Sequence, residues 1–243
     1  MSKIKLCGLS RPEDMEAVNE ARPDFIGFVF APSKRNVSPE QAARLKKMLR
    51  PDILAVGVFV NSPPDFIVDL AAKGIIDMVQ LHGDMENYET ENYTLDLRKR
   101  LNGISDGKTA DSLGKAKDSH GKTADSPEKP AHSPEPPSYI PIIRAVRVRT
   151  AADIEQAKTW PADYLLFDTF VKGQYGGSGT RFNWSLIPQM EKPWFLAGGL
   201  DFSNIRKAAK TGAFCLDISS AAETDGKKDA AKIKEIIQII RSM

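Results

Sequence analysis

Eight times along this chain, a short run rich in valine, isoleucine, leucine and phenylalanine gives way to a turn and a longer stretch of helical periodicity. No other feature narrows the choice of folds as far. The apolar runs lie at 3–7, 25–30, 53–60, 77–81, 141–147, 163–168, 194–197 and 213–218. Helical stretches are expected at about 12–21, 39–49, 64–73, 86–101, 151–159, 183–190, 202–210 and 228–242. Ser10 before Pro12, Ser38 before Pro39 and Thr150 before an acidic turn supply helix-starting chemistry. Repeated strand–helix units imply a parallel sheet, and a count of eight favours closure into a (β/α)8 TIM barrel. The fold class expected is therefore α/β, with residues 1–243 as a single barrel domain. An open doubly wound sheet would usually carry a GxGxxG turn after its first strand, where this chain reads CGLSRPED.

Residues 102–138 break the pattern. They hold only Ile104 and Leu113 as large aliphatics, five prolines, and the hexapeptide GKTADS twice, at 107–112 and 121–126. Such a segment cannot bury enough apolar surface to offset its ordering entropy. It is expected to be a disordered low-complexity insertion between the fourth helix and the fifth strand. His120 and His132 fall inside it and carry little functional weight.

Composition excludes several classes of function. With 34 basic against 32 acidic residues, the net charge of +2 lacks the basic footprint of a nucleic-acid binder. Cys7 and Cys215 are too few and too far apart for a disulfide framework or a zinc site. The N-terminus lacks a signal-peptide core, and no apolar run reaches the roughly 18 residues of a membrane span. A reduced, cytoplasmic protein is expected, with no nucleic-acid or membrane partner.

In a barrel of this kind the chemistry sits where the strands end. Cys7 ends the first strand, Arg35 follows the second, His82 ends the fourth and Asp168 ends the sixth. Cys7 reads either as a small core residue or as a proton-transfer group, since positive neighbours can bring a thiol into the working range. Asp168 closes the apolar run Tyr164-Leu165-Leu166-Phe167, where a lone carboxylate has few structural excuses and could act as an acid. His82 is either catalytic or an orienting group. Arg35 could clamp a carboxylate by a two-pronged hydrogen bond, or be a plain surface arginine. Gly198 and Gly199 could make only a tight turn, but Ser219 and Ser220 follow after the eighth strand. Small residues in those two loops let main-chain N–H groups approach a phosphate.

In order, the stretches KLCGL at 5–9, FIGFVFAPSKR at 25–35, VGVFVN at 56–61 and VQLHGD at 79–84 resemble the phosphoribosylanthranilate isomerase family. The likeness continues through RAVRV at 144–148, LLFDT at 165–169, YGGSGTRFNW at 175–184, FLAGGL at 195–200 and LDISSAAET at 216–224. It covers the whole chain except the insertion. It implies an Amadori rearrangement of N-(5-phosphoribosyl)anthranilate in tryptophan biosynthesis, with neither metal nor organic cofactor, by a monomer or homodimer. By this resemblance Asp168 is the general acid, Cys7 the general base and Arg35 the holder of the anthranilate carboxylate. Gly198, Gly199, Ser219 and Ser220 form the phosphate cradle, Gly177 and Ser178 belong to a mobile loop near the substrate, and His82 supports the site. Related bifunctional barrels place an aspartate where Cys7 stands, so a dedicated isomerase is favoured. The family usually has glycine and valine in place of Ala221 and Ala222, which would bring a Cβ close to the phosphate. Rival readings are a neighbouring phosphate-binding barrel such as indole-glycerol-phosphate synthase, which relies on lysine and glutamate at its strand ends, and a non-catalytic barrel that binds phosphoribosyl ligands.

Overall fold

The computed structural model describes residues 1–83, 87–105, 139–169 and 182–243. Eight parallel strands close into a barrel in chain order. They are β1 (Lys3–Cys7), β2 (Phe25–Val29), β3 (Leu54–Phe59), β4 (Met78–Leu81), β5 (Ile142–Val148), β6 (Tyr164–Thr169), β7 (Trp194–Leu196) and β8 (Cys215–Ile218). The seam closes where β1 pairs with β8, with Lys5 opposite Asp217.

Alternation along each strand sorts the side chains into two cores. Outward residues such as Ile4, Leu6, Ile26, Phe28, Leu165, Phe167 and Leu216 pack against the surrounding helices. Inward residues Phe25, Val56, Met78, Ile143, Leu166, Phe195 and Cys215 fill the lower barrel. Phe25 and Tyr164 meet the Phe195 ring with centroids 5.7 and 5.5 Å away, so aromatic rings plug the N-terminal end. Higher up the same inward positions turn polar, with Lys5, Gln80, His82, Asp168 and Asp217 all buried.

The helices are α1 (Pro12–Ala21), α2 (Pro39–Met48), α3 (Pro64–Ala72), α4 (Asn87–Ser105), α5 (Ala151–Ala157), α6 (Ile205–Ala208) and α7 (Ala230–Arg241). Ser38 caps α2 by accepting from the Gln41 N–H at 3.1 Å. The α1 cap falls on Arg11 instead of Ser10, because Asp14 accepts from both the Ser10 and Arg11 N–H groups at 2.8 and 3.0 Å.

Three expectations need correction. The helix expected at 183–190 is only a 3-10 turn at Trp184–Leu186. Pro188 disfavours helical backbone at Ile187, which is extended with ψ at 113°. The helix expected at 202–210 contracts to α6. The expected start of the insertion at 102 is also too early, since α4 runs to Ser105 and Ile104 is buried in the core. The remainder of the insertion call, 106–138, lies outside the described residues.

After β8 comes a device the sequence reading did not foresee. The two-residue strands β9 (Glu223–Thr224) and β10 (Lys227–Lys228) form a hairpin. Its turn residues Asp225 and Gly226 both have positive φ, at 52° and 73°. That conformation suits a tight hairpin, which Asp-Gly readily adopts.

Candidate active site

The C-terminal ends of the strands surround a cavity of about 360 Å³. Cys7, Arg35, His82, Asp168, Gly198, Gly199, Ser219 and Ser220 all line it. Eight of the residues singled out from sequence thus come together, contributed by six strands or the loops that follow them. Gly177 and Ser178 lie outside the described residues.

Asp168 projects inward near the end of β6 and is 4% exposed. Its Oδ1 accepts from the Thr169 N–H at 2.7 Å, and the His82 Nε2 lies 3.4 Å from its Oδ2. Burial is the largest influence on this carboxyl and pushes it up to about 6, despite the Thr169 hydrogen bond. Gly198 makes room for it. A Cβ on Gly198 would stand 2.7 Å from Asp168 Oδ1 and 2.5 Å from Thr169 Oγ1, and the φ of +82° already favours glycine.

Cys7 ends β1, and its sulfur occupies space that a Cβ on Gly27 would invade at 2.8 Å. Burial is the largest influence and leaves the thiol raised, although the charges of Lys5 and Lys228 pull it down. Ser219 donates from Oγ to the Cys7 carbonyl at 3.1 Å, tying the end of β8 to the end of β1. The stem of Arg35 lies where a Gly8 side chain would be, so that glycine lets the arginine cross the barrel mouth.

Arg35 already makes a two-pronged contact within the protein. The edge formed by Nε and Nη2 is already taken, donating to Glu223 Oε1 and Oε2 at 2.7 and 2.8 Å. Lys228 Nζ also donates to Glu223 Oε1, at 2.6 Å, and to the Ser219 carbonyl at 2.9 Å. Burial would raise the Glu223 carboxyl, but the hydrogen bonds from Arg35 and Lys228 outweigh it and hold the group at about 2. A guanidinium has five N–H donors, so the edge of Arg35 opposite its stem still offers two parallel hydrogen bonds to a second carboxylate.

Sequence reasoning missed Lys5, Gln80, Asn61, Asp217, Glu223 and Lys228. A signal existed for two of them: Gln80 and Asp217 are the lone polar residues of the apolar strands β4 and β8, at inward positions. Asn61, also at the cavity, holds a left-handed φ of 51°. Ala221 and Ala222 are not among the positive-φ residues, and Ala222 packs into the core. Their Cβ atoms therefore impose no backbone strain. Among the described residues, no group of three or more histidine, cysteine, aspartate or glutamate side chains could hold a metal ion, and no helix is long and apolar enough to cross a membrane.

A family model described as N-(5'-phosphoribosyl)anthranilate (PRA) isomerase matches residues 4–128 and 120–239. This chain belongs to that family. The N-(5'-phosphoribosyl)anthranilate isomerase of Endomicrobium trichonymphae is 39% identical over the full length of both chains. The crystal structure of phosphoribosyl anthranilate isomerase from Thermotoga maritima superposes with a TM-score of 0.74 at 31% identity, again covering all of each chain. A phosphoribosyl anthranilate isomerase in complex with reduced 1-(o-carboxyphenylamino)-1-deoxyribulose 5-phosphate matches with a TM-score of 0.70, 30% identity and full coverage of both chains. The chain is accordingly an isomerase of tryptophan biosynthesis built on a TIM barrel.

Proposed function

We propose that this isomerase, a single-domain cytoplasmic barrel, converts N-(5-phosphoribosyl)anthranilate into 1-(2-carboxyphenylamino)-1-deoxyribulose 5-phosphate, with Asp168 as acid and Cys7 as base. The observation that carries the assignment is the placement of these two groups around one cavity, on strands separated by β7 and β8. A carboxyl raised to about 6 keeps a useful fraction of its proton near neutrality. It gives that proton to the furanose ring oxygen as the C1–O bond breaks, and the anilino nitrogen supplies the electron pair to form a protonated Schiff base. The Cys7 thiolate then takes the proton from C2, leaving an enolamine. C1 gains a proton and the enol oxygen loses one as the ketone forms. Two protons enter and two leave, as an isomerisation requires.

The remaining residues hold the substrate. The main chain at Gly198, Gly199, Ser219 and Ser220 cradles the 5-phosphate, with the left-handed glycines (φ 82° and 63°) allowing close approach. The free edge of Arg35 takes the anthranilate carboxylate while Glu223 fixes the other edge. His82 orients Asp168. Gly177 and Ser178 are assigned to a loop over the substrate on the family resemblance alone. The decisive assay uses freshly prepared phosphoribosylanthranilate and follows the loss of its anthranilate-type fluorescence. Turnover of this substrate is expected, and no turnover would remove the assignment.

A further inference from the structure

Beneath the cavity floor lies a charged residue with no assigned part in the reaction. Lys5 is fully buried, and its Nζ donates to Asp217 Oδ2 at 2.7 Å and to Gln80 Oε1 at 2.8 Å. It does not line the cavity, although both of its acceptors do. Alternation along β1 points it to the same side as Cys7, two residues on. Cations near a thiol favour the thiolate, which is the form a base needs.

The same ammonium acts in a second direction. A lysine has only donors, so Gln80 must present Oε1 to it and turn its Nε2 the other way. Gln80 Nε2 is 3.3 Å from His82 Nδ1. An amide nitrogen can only donate, so Nδ1 accepts and the proton of a neutral His82 belongs on Nε2. That is the nitrogen that faces Asp168 Oδ2. One cation therefore reaches both ends of the site.

We propose that Lys5 is the positioning residue of this active site, favouring the Cys7 thiolate through its charge and, through Gln80, fixing the His82 tautomer that carries its proton on the nitrogen facing Asp168. The proposal rests on the reading of Cys7 and Asp168 as base and acid, but its tests do not require turnover. The groups that face Cys7 are Lys5 on its own strand, Asp217 on β8, Lys228 on β10 and Arg35 beyond β2. Burial would lower Lys5, but Asp217 and Cys7 keep it charged, at about 12.

Cys7 ionisation is read in ligand-free protein from thiolate absorbance and from the pH dependence of its alkylation, in a Cys215→Ala background. Lys5→Met should raise the midpoint by at least about one pH unit, and Lys5→Arg should restore it. If Lys5→Met fails to fold because Asp217 is left unpaired, Lys5→Met combined with Asp217→Asn removes both charges. The midpoint should still rise, by less, because Lys5 acts on Cys7 more strongly than Asp217 does. A folded variant of either kind with an unmoved or lowered midpoint overturns the thiolate half of the proposal. Nitrogen-15 NMR of neutral His82, assigned with His82→Gln, should show a protonated Nε2 in the wild type and loss of that preference in Gln80→Met. A wild-type protein protonated at Nδ1 overturns the tautomer half. Failure of the catalytic reading has a different signature, namely Cys7→Ala retaining its kcat.

Discussion

The two sides of the cavity each bury an ionisable group, and they treat it in opposite ways. Around Asp168 the close neighbours are a main-chain N–H, the imidazole of His82 and a glycine whose missing side chain makes room for the carboxyl. Burial prevails there over the Thr169 hydrogen bond and the charges of Arg147 and Lys5. Around Cys7 stand Lys5, Lys228 and Arg35, with Asp217 and Glu223 among them. Burial favours the neutral form of both groups, which suits an acid that must keep its proton and hinders a base that must lose one. Lys228 and Arg35 add their charge on the Cys7 side, where burial works against the chemistry.

Removing either group should break the comparison most severely. Cys7→Ala and Asp168→Asn are each expected to lower kcat by at least ~10²-fold, with smaller changes in KM, as for groups acting in proton transfer. A variant that kept more than about a third of wild-type kcat would strip that residue of its role.

The poorly solvated side should also leave a mark on stability. Asp168 binds its proton more tightly folded, at about 6, than at the ordinary 3.8. The folded state is therefore favoured at low pH, and stability is lost as pH rises through the window between those values. Asp168→Asn cannot ionise, so its melting temperature should exceed that of the wild type at about pH 8, by the equivalent of about 3 kcal/mol at most. The advantage should vanish near about pH 3.5, below both values. A difference that stayed constant across the range would mean that burial is not what raises the carboxyl.

On the cation-rich side, the proposed role has Arg35 serving two carboxylates at once, which a lysine cannot do with the same geometry. Arg35→Lys should lose at least about tenfold in kcat/KM and come within roughly tenfold of Arg35→Ala. Near-normal kinetics in the lysine variant would reduce the contact to simple charge attraction. A smaller effect belongs to the phosphate cradle, which borders both sides. Inorganic phosphate should inhibit competitively, and Ala221→Gly should leave its affinity unchanged, since Ala221 already sits in ordinary backbone. Noncompetitive inhibition, or none up to high millimolar anion, would move the phosphate elsewhere.

The smallest effect is expected from a change in the connection between α4 and β5. Replacing 106–138 with about four residues should keep kcat/KM within about threefold and leave the melting temperature equal or higher, because αβ connections run across the face opposite the active site. Residues 102–105 must stay, since Ile104 is part of the core. A well-folded deletion that lost more than about tenfold would tie that segment to the chemistry.

The strands were legible because each is a short run rich in apolar residues and bounded by turns, so their expected and observed limits differ by at most two residues. Helix limits were less so. The amphipathic pattern at 183–190 gave no warning that Pro188 would prevail over it, and the polar 102–105 continued α4 because Ile104 falls on its buried face. At the site, strand-end position shortlisted Cys7, His82 and Asp168, all of which line the cavity. The Arg35–Glu223 pair was invisible, as its partners stand 188 residues apart and meet only when β8 closes against β1. Lys5 was overlooked for another reason: a lysine near the N-terminus of a chain reads as solvated until the barrel is known to close around it.

The connection between α4 and β5 divides the ring into equal arcs, four strands before it and four after. Each arc taken alone would have two open edges, where β4 would otherwise meet β5 and β8 would otherwise meet β1. Cys7 and Arg35 belong to the first arc, and Asp168 with the whole phosphate cradle to the second. On the proposed roles neither half-molecule carries both the acid and the base, so a protein cut at this connection should have nothing to catalyse with until its pieces find each other. The Lys5–Asp217 ion pair bridges one of the two seams that must form. Recovery of activity from such fragments is therefore a direct count of rejoined barrels, with no background from either piece.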